Sequence, residues 1–172
     1  MSLHELPTRA GDAVHVVVES PRGSRVKLKY EPEHEAFFLS RALPLGYTYP
    51  YDFGFVPGTE APDGDPLDAL VYWDAPSVPG AVLRCRIVGV LELEQRAKRG
   101  GRQRNDRLVA IPLGHDRGDD VASVLELAVR VREELAHFFT SSVYFAGKDA
   151  RALRWRGPRA ARALVARGER AR

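Results

Sequence analysis

Cysteine is almost absent from this sequence: Cys85 is the only one in 172 residues. A single thiol excludes an internal disulfide and a thiolate zinc site, and it favours a reducing compartment. The first residues, 1–7, lack the basic and apolar parts of a secretion signal, and no later run is apolar for long enough to span a membrane. We therefore expect a cytoplasmic protein that has no membrane partner.

Strong net charge is lacking too, since the formal charge is only +3. The excess comes from arginines at 96–107 and in the tail at 151–172. Segregated basic charge can indicate an anionic partner, but few aromatic residues interleave with the tail arginines, which argues against nucleic acid. With 44% hydrophobic residues and neither a linker nor a repeat, residues 1–172 are predicted to form one domain with a real core.

Short apolar or alternating segments predict a mainly β fold. Strands are expected at residues 14–19, 25–31, 36–41, 69–73, 81–93, 108–113 and 152–155. The passage 42–64 is rich in Pro, Gly, Tyr and Phe and is expected to be a long irregular loop, while 94–107 is expected to be a polar hairpin loop. Five or six short strands joined by turns suggest a small closed barrel.

Two helices are predicted to flank the strands. Apolar residues three and four positions apart indicate a helix from Val121 to Phe139, with Asp119 and Asp120 capping its start. A basic C-terminal helix is expected over about 159–167, with Pro158 in its first turn.

The most informative stretch is Asp63-Gly64-Asp65-Pro66-Leu67-Asp68, which concentrates three carboxylates. Gly64 permits a tight turn and Pro66 disfavours helix at Asp65, so the acids should project from an irregular loop. Oxygen ligands of this kind suit Mg²⁺, Mn²⁺ or Ca²⁺ better than zinc, and the spacing does not fit an EF-hand. Taken alone, the loop could also be a solvated acidic turn. The β-favouring run 69–73 that follows places it at the mouth of a buried strand.

The strand at 25–31 alternates, so that Lys27, Lys29 and Glu31 share the face opposite Val26, Leu28 and Tyr30. Lys29 and Glu31 should therefore point the same way. A surface ion pair between them is the alternative to a shared role beside the acidic loop.

In chain order, a series of residues resembles the active-site series of the soluble family I inorganic pyrophosphatases. Its members are Glu19, Lys29-Tyr30-Glu31, Arg41, Tyr49-Pro50, Gly54 and the acidic loop 63–68. The resemblance extends from about Val16 to Trp155. It implies a compact five-stranded OB-like β-barrel with two α-helices, and hydrolysis of pyrophosphate to two phosphates by a metal-activated water. It also implies Mg²⁺ as cofactor, with Mn²⁺ as a substitute, and a homo-oligomer that is a hexamer.

The resemblance implies a role for each matching residue. Asp65 would be the general base. The metal ligands would be Asp63, Asp68, Glu31, Asn105 and Asp106. The substrate would be bound by Lys29, Arg41, Tyr49 and Arg107, with Glu19, Tyr144 and Lys148 in support. Two of these have simpler alternatives, because Arg41 could cap a carbonyl and Tyr49 could be a core aromatic.

Several positions depart from the family pattern. Acidic residues of the family are replaced by Gln95, Arg96 and Asn105, a tyrosine by Phe53, and a Tyr-Lys pair by Ser142 and Val143. The three central aspartates are retained, whereas ligands for additional metals are depleted. A Mg²⁺-dependent pyrophosphatase is the leading hypothesis. The alternatives are a related protein acting on another diphosphate, and a protein without catalysis that binds phosphate-bearing ligands or nucleic acid.

Overall fold

The computed structural model describes residues 2–114 and 120–170. Its strands are β1 (Arg9–Ala10), β2 (Ala13–Ser20), β3 (Val26–Glu31), β4 (Ala36–Ala42), β5 (Asp52–Val56), β6 (Leu67–Val71), β7 (Val82–Arg96), β8 (Arg102–Arg104), β9 (Arg107–Pro112) and β10 (Arg151–Arg156). Its helices are α1 (Val129–Ser141) and α2 (Pro158–Gly168), and single 3₁₀ turns lie at Leu3–Glu5, Val124–Glu126 and Tyr144–Ala146. Neither helix of the described chain has the length and apolar character that crossing a membrane requires.

Five strands close into a barrel in the order β2, β5, β6, β9, β7 and back to β2. Neighbours are antiparallel except β6 and β9, which run parallel from the pair Asp68 and Arg107 to the pair Val71 and Ala110. Closure pairs every barrel strand on both sides, which removes free edges. The predicted five-stranded OB-like barrel is confirmed.

The two helices cover different parts of the barrel. Val165 of α2 packs in the cluster that contains Val16 and Ala69, whereas Phe139 of α1 packs in the cluster that contains Leu70. Consecutive residues of β6 thus reach different clusters, as expected because strand side chains alternate between faces. The strands β5 and β9 are buried along their whole length, since both of their faces are covered.

Gly89 marks an irregularity in β7. The register between β7 and β9 shifts between Ile87 and Gly89. A Cβ atom at Gly89 would lie 2.1 Å from the side chain of Val124 and 2.8 Å from the carbonyl oxygen of Arg156. Glycine is therefore required for the 3₁₀ turn to pack against the barrel at this point.

The hairpin of β3 and β4 forms a separate two-stranded sheet over the barrel. Tyr30 anchors it, because its buried ring packs with Val17 and Phe55. A second anchor is the hydroxyl of Ser20, which accepts a hydrogen bond from the Leu28 N–H at 2.9 Å. The opposite face of β3, which carries Lys27, is consequently left for the barrel mouth.

Two predicted loops contain strands. The passage 42–64 was predicted to be irregular, yet it includes β5, whose Gly54 approaches β2 so closely that a Cβ would lie 1.8 Å from the Val17 oxygen. A five-residue strand between Pro- and Gly-rich flanks has little periodic signal of its own. The hairpin at 94–107 is present, but β7 extends to Arg96 and pairs with β8 from Glu94 opposite Arg104.

The predicted helix at Val121–Phe139 begins too early. Ser123 and Glu126 form a capping box around a separate 3₁₀ turn, after which Leu127 is extended and α1 starts at Val129. The apolar spacing spans both elements, which is why it suggested one helix. Asp120 lies in a turn before the 3₁₀ segment, and Asp119 lies outside the described residues. The C-terminal helix agrees with its prediction, with Pro158 at its first position.

Candidate active site

A polar pocket opens at the barrel mouth between β6, β9 and the β3–β4 hairpin. It collects nine of the residues singled out in the sequence, together with several that were not. The nine are Glu19, Lys29, Arg41, Asp63, Asp65, Asp68, Asn105, Arg107 and Lys148. The three aspartates therefore share one cavity with a lysine and an arginine of the hairpin.

Local backbone bonds shape the acidic loop. Gly64 adopts φ +86°, a left-handed conformation that favours glycine, and its N–H donates to the Ala61 carbonyl at 2.9 Å. The Asp63 carboxylate accepts from the Asp65 N–H at 3.2 Å, which holds the two acids on one turn. Asp68 is already in β6, where it pairs with Phe55 on one side and Arg107 on the other.

Two of the acids face a cation. The Lys29 ammonium lies 2.9 Å from both carboxylate oxygens of Asp65, and the Arg107 guanidinium donates to Asp68. Burial lowers the pKa of Lys29, but its hydrogen bond to Asp65 and the negative charges of Asp65, Glu19 and Asp63 together outweigh this, and the net shift is upward. Both ion pairs compensate charge that the pocket concentrates.

Arg107 is held in one orientation by its surroundings. Its guanidinium lies 5.8 Å and 5.7 Å from the ring centroids of Phe53 and Phe139, and it donates to the side-chain and backbone oxygens of Asn105. Within the described chain its Nε is buried without a hydrogen-bond partner. Arg107 thus brings a fixed positive charge to the pocket wall.

Burial raises the pKa values of two pocket carboxyls. The Glu19 side chain is buried and accepts from the Tyr30 N–H at 2.7 Å, and desolvation raises its pKa to about 7. Burial, followed by the like charge of Asp68, raises the pKa of Asp63. A cation bound between Asp63 and Asp68 would relieve this repulsion.

The carboxylates of the pocket have the chemistry that suits a hard divalent cation, whereas the described residues whose ligand atoms all lie within 4.8 Å of one another are Glu31, Glu33 and His34. Asp63, Asp65 and Asp68 offer carboxylate oxygens from one short segment, which is the donor set that Mg²⁺ and Mn²⁺ prefer. Asn105 does not fit as well, because its side-chain oxygen already accepts from Arg107.

Four residues singled out in the sequence lie outside the pocket lining. Asp106 precedes β9 by one residue and faces away from Asn105 and Arg107, so that its carboxylate accepts from the Leu93 N–H and from Arg104. Glu31 lies past the end of the cavity, where its carboxylate groups with Glu33 and His34. This reflects its place at the end of β3, two residues beyond Lys29.

The two tyrosines occupy other surroundings. Tyr49 is buried beside the pocket, stacks on Phe53 and shares a hydrogen bond with Ser20, and burial raises its pKa to about 12. Tyr144 is exposed and lines a neighbouring apolar groove with Leu45. Its 3₁₀ turn directs it outward, whereas Lys148 from the following loop reaches the pocket.

Sequence reasoning missed three polar residues of the lining: His4, Lys27 and Gln95. Lys27 had a usable signal, since it shares the alternating face of Lys29. In the sequence, Gln95 is distinguished only by replacing an acidic residue of the family. Its buried position follows from β7 continuing to Arg96, beyond the predicted end at residue 93. His4 arrives from the N-terminal 3₁₀ turn by packing on Tyr30 and Phe55, which no local pattern indicates.

A closed OB-like barrel with carboxylates and fixed cations at its mouth defines a class of proteins suited to bind phosphates together with divalent cations. The chain belongs to the inorganic pyrophosphatase family, whose sequence model, described as "Inorganic pyrophosphatase", matches residues 16–171.

Several relatives and solved structures match this chain over nearly its full length. The "Inorganic pyrophosphatase" of Thermus thermophilus is 36% identical over 175 residues, with 96% of this chain and 97% of that protein covered. That of Synechocystis is 35% identical over 167 residues, covering 96% and 95%. The crystal structure of the Thermus thermophilus protein superposes with a TM-score of 0.86 at 35% identity, covering 97% of this chain and 98% of that one. The Helicobacter pylori structure gives 0.87 at 27% identity, covering 95% of each.

Proposed function

We propose that this protein hydrolyses inorganic pyrophosphate to two phosphates with Mg²⁺ as its cofactor and Mn²⁺ as a substitute. The observation that carries the proposal is the shared pocket of Asp63, Asp65 and Asp68 with Lys29 and Arg41. Pyrophosphate is highly anionic, so its cleavage requires cations around both phosphoryl groups and a nucleophilic water. The pocket offers ligands for the metal and side chains for the substrate.

Asp63 and Asp68 would hold the metal, with Asp65 facing the water. Bound there, Mg²⁺ supplies positive charge that neutralises phosphate oxygens and acidifies water. The Asp65 carboxylate accepts the proton of the attacking water, and the Lys29 ammonium orients that carboxylate through both of its oxygens. The water oxygen forms a bond to one phosphorus while the bridging P–O bond breaks.

As the bridging P–O bond breaks, negative charge develops on the departing oxygen. Cationic side chains near that oxygen are therefore needed. Arg41 is placed for this by a hydrogen bond from its Nη1 to the Ser142 carbonyl at 2.8 Å, which leaves the rest of its planar guanidinium for phosphate oxygens. Arg107 contributes charge from the opposite wall, beside Asp68. Glu19 and Lys148 also line the pocket.

Phosphate release from pyrophosphate tests the proposal. We expect turnover with Mg²⁺, weaker turnover with Mn²⁺ and none in EDTA. Asp65→Asn should lower kcat by roughly 100-fold to 10,000-fold, the usual contribution of a general base. Asp12→Asn, on the exposed turn between β1 and β2, is the matched control and should retain full activity.

Two outcomes would contradict the proposal. Turnover of nucleoside triphosphates without turnover of pyrophosphate would indicate a related enzyme with another substrate. Silence on all these substrates, with phosphate still bound, would indicate a binding protein.

We also propose that the chain assembles as a homo-oligomer, a hexamer as its family resemblance implies. The exposed side chains of Leu45, Tyr144 and Phe145 give it apolar surface that a second copy could cover. Sedimentation equilibrium should give a mass about six times that of the chain, and a monomer at micromolar concentration would refute this part.

A further inference from the structure

The pocket carries more cationic than anionic side chains. The carboxylates are those of Glu19, Asp63, Asp65 and Asp68, whereas the lysines and arginines are Lys27, Lys29, Arg41, Arg107 and Lys148. With four acids and five bases, positive charge is in excess before any metal is bound. Since burial brings the pKa of Glu19 to about 7, the excess is larger in neutral solution.

This positive charge is unevenly distributed. Lys29 is paired with Asp65, and Arg107 with Asp68. Across residues 2–114 and 120–170, the ammonium groups of Lys27 and Lys148 and the guanidinium of Arg41 have no carboxylate within ion-pair distance. One side of the pocket is therefore basic and lacks its own counter-ions.

Lys27 stands at the centre of this side. In the hairpin register it lies directly opposite Arg41, and like charges facing each other across two strands are destabilising. Desolvation lowers the pKa of Lys27, and the charges of Arg107 and Arg41 lower it further, against the attraction of Asp68 and Glu19. An anion between Lys27 and Arg41 would remove this repulsion.

The remaining lining on this side is neutral. Gln95 and Asn105 are buried amides, so they add neither counter-charge for Lys27 nor a carboxylate for a metal. Asn105 instead uses its side-chain oxygen to hold Arg107, whose buried Nε has no partner in the described chain. Lys27 of β3 and Arg107 of β9 thus place two positive charges beside one cavity.

We propose that Lys27 completes a phosphate subsite in which Lys27, Arg41 and Arg107, rather than an additional divalent ion, neutralise one phosphoryl group. This subsite rests on the proposed function for its role, since it would hold one half of pyrophosphate while the acidic loop holds the metal for the other. Lys27 is then a substrate-binding residue. Its ligand class is an inorganic phosphate or the terminal phosphoryl group of a diphosphate.

Metal-free binding is the direct test. Isothermal titration of inorganic phosphate, and separately of methylenediphosphonate, is performed in EDTA with wild type, Lys27→Gln and Lys27→Arg. Wild type should bind both probes, Lys27→Gln should bind at least about tenfold more weakly, and Lys27→Arg should recover most of the affinity. Lys98→Gln, in the exposed loop between β7 and β8, is the control and should bind like wild type.

A second readout separates binding from folding. Because Lys27→Gln removes a like-charge pair, its thermal midpoint should not fall, so a loss of phosphate affinity in a protein of unchanged stability supports the subsite. Wild type that binds neither probe in EDTA, or Lys27→Gln that binds as tightly as wild type, would overturn it.

The subsite and the proposed function can fail separately. Hydrolysis of pyrophosphate without metal-free phosphate binding overturns the subsite alone. Metal-free binding that depends on Lys27, in a protein that does not hydrolyse pyrophosphate, supports the subsite as a binding site and overturns the proposed function. If both hold, Lys27→Gln should also need a several-fold higher Mg²⁺ concentration for half-maximal velocity.

Discussion

The acidic loop and the β3–β4 hairpin bring opposite charges to one pocket, and they are held in place by different means. The loop positions three aspartates within six residues by a left-handed glycine and short backbone bonds. The hairpin lies outside the barrel and is fixed by long-range packing of Tyr30 and by the hydroxyl of Ser20. The acidic side is thus a local structure, whereas the basic side depends on the tertiary fold.

The acidic loop and the hairpin also differ in the charge of the ligand that each would bind. Burial, followed by the like charge of Asp68, raises the pKa of Asp63, and a cation from solution would offset both effects. Lys27 and Arg41 repel one another and need an anion. A pocket that has an acidic and a basic side can bind a metal ion at the first and a phosphate at the second, because each ligand has the opposite charge to the side that binds it.

Removing the charge of Asp68 should have the largest effect on metal binding. Asp68→Asn keeps a hydrogen-bond acceptor for Arg107 but removes the carboxylate of Asp68. Loss of a residue that only supports a metal ligand typically lowers metal affinity by about 10-fold to 100-fold. Loss of a ligand itself should therefore lower the Mn²⁺ affinity, measured without pyrophosphate, by at least about 100-fold. Calorimetric titration measures this, with Asp12→Asn as the control. Unchanged Mn²⁺ affinity would mean that the acidic loop does not hold the metal.

Lys29 connects the two sides, and its removal should have the next largest effect. Lys29→Gln removes the cation that orients the Asp65 carboxylate, so kcat/KM for pyrophosphate should drop roughly 10-fold to 100-fold, the usual cost of losing a residue that supports a site carboxylate. Steady-state phosphate release measures the loss, compared with Lys98→Gln. A change below twofold would place Lys29 in a surface ion pair without a role in turnover.

Glu19 should make stability depend on pH in the metal-free protein. Its folded pKa of about 7 lies above the ordinary value of 4.5, so between these values the folded chain holds a proton that the unfolded chain has lost. The free energy of unfolding in EDTA should therefore fall as pH rises through this window, and Glu19→Gln should flatten the dependence.

Urea denaturation at pH 5 and pH 7.5 gives the difference for each variant. Glu133→Gln, which changes an exposed residue of α1, should keep the slope of wild type. Equal slopes in all three proteins would show that the Glu19 carboxyl is ionised in the folded state.

Asp106 should show the smallest effect. It lies outside the pocket, where it accepts from the Leu93 N–H and pairs with Arg104, so Asp106→Asn should cost about 1 kcal/mol of stability and leave Mn²⁺ affinity unchanged. Urea unfolding and calorimetric titration measure the two quantities. A fall in affinity like that of Asp68→Asn would make Asp106 a ligand after all.

The sequence indicated much of the fold because most strands have clear local patterns. The prediction failed for two segments. The strand β5 has only five residues, all buried, between turn-rich flanks. The apolar spacing at 121–139 continues through both a 3₁₀ turn and α1, so it suggested a single helix. In both cases the final structure follows contacts with distant residues, such as Gly54 against β2.

The aspartate cluster is a local feature of the sequence, because three aspartates fall within six residues, Gly64 permits the left-handed turn and Pro66 restricts its own φ. The family resemblance associated Arg41, Arg107 and Lys148 with it, but only the tertiary structure brings these cations and Lys27 to face it. Lys27, Arg41, Arg107 and Lys148 come from distant segments, and their direction depends on strand register, which turns Asn105 and Arg107 into the pocket and Asp106 away from it.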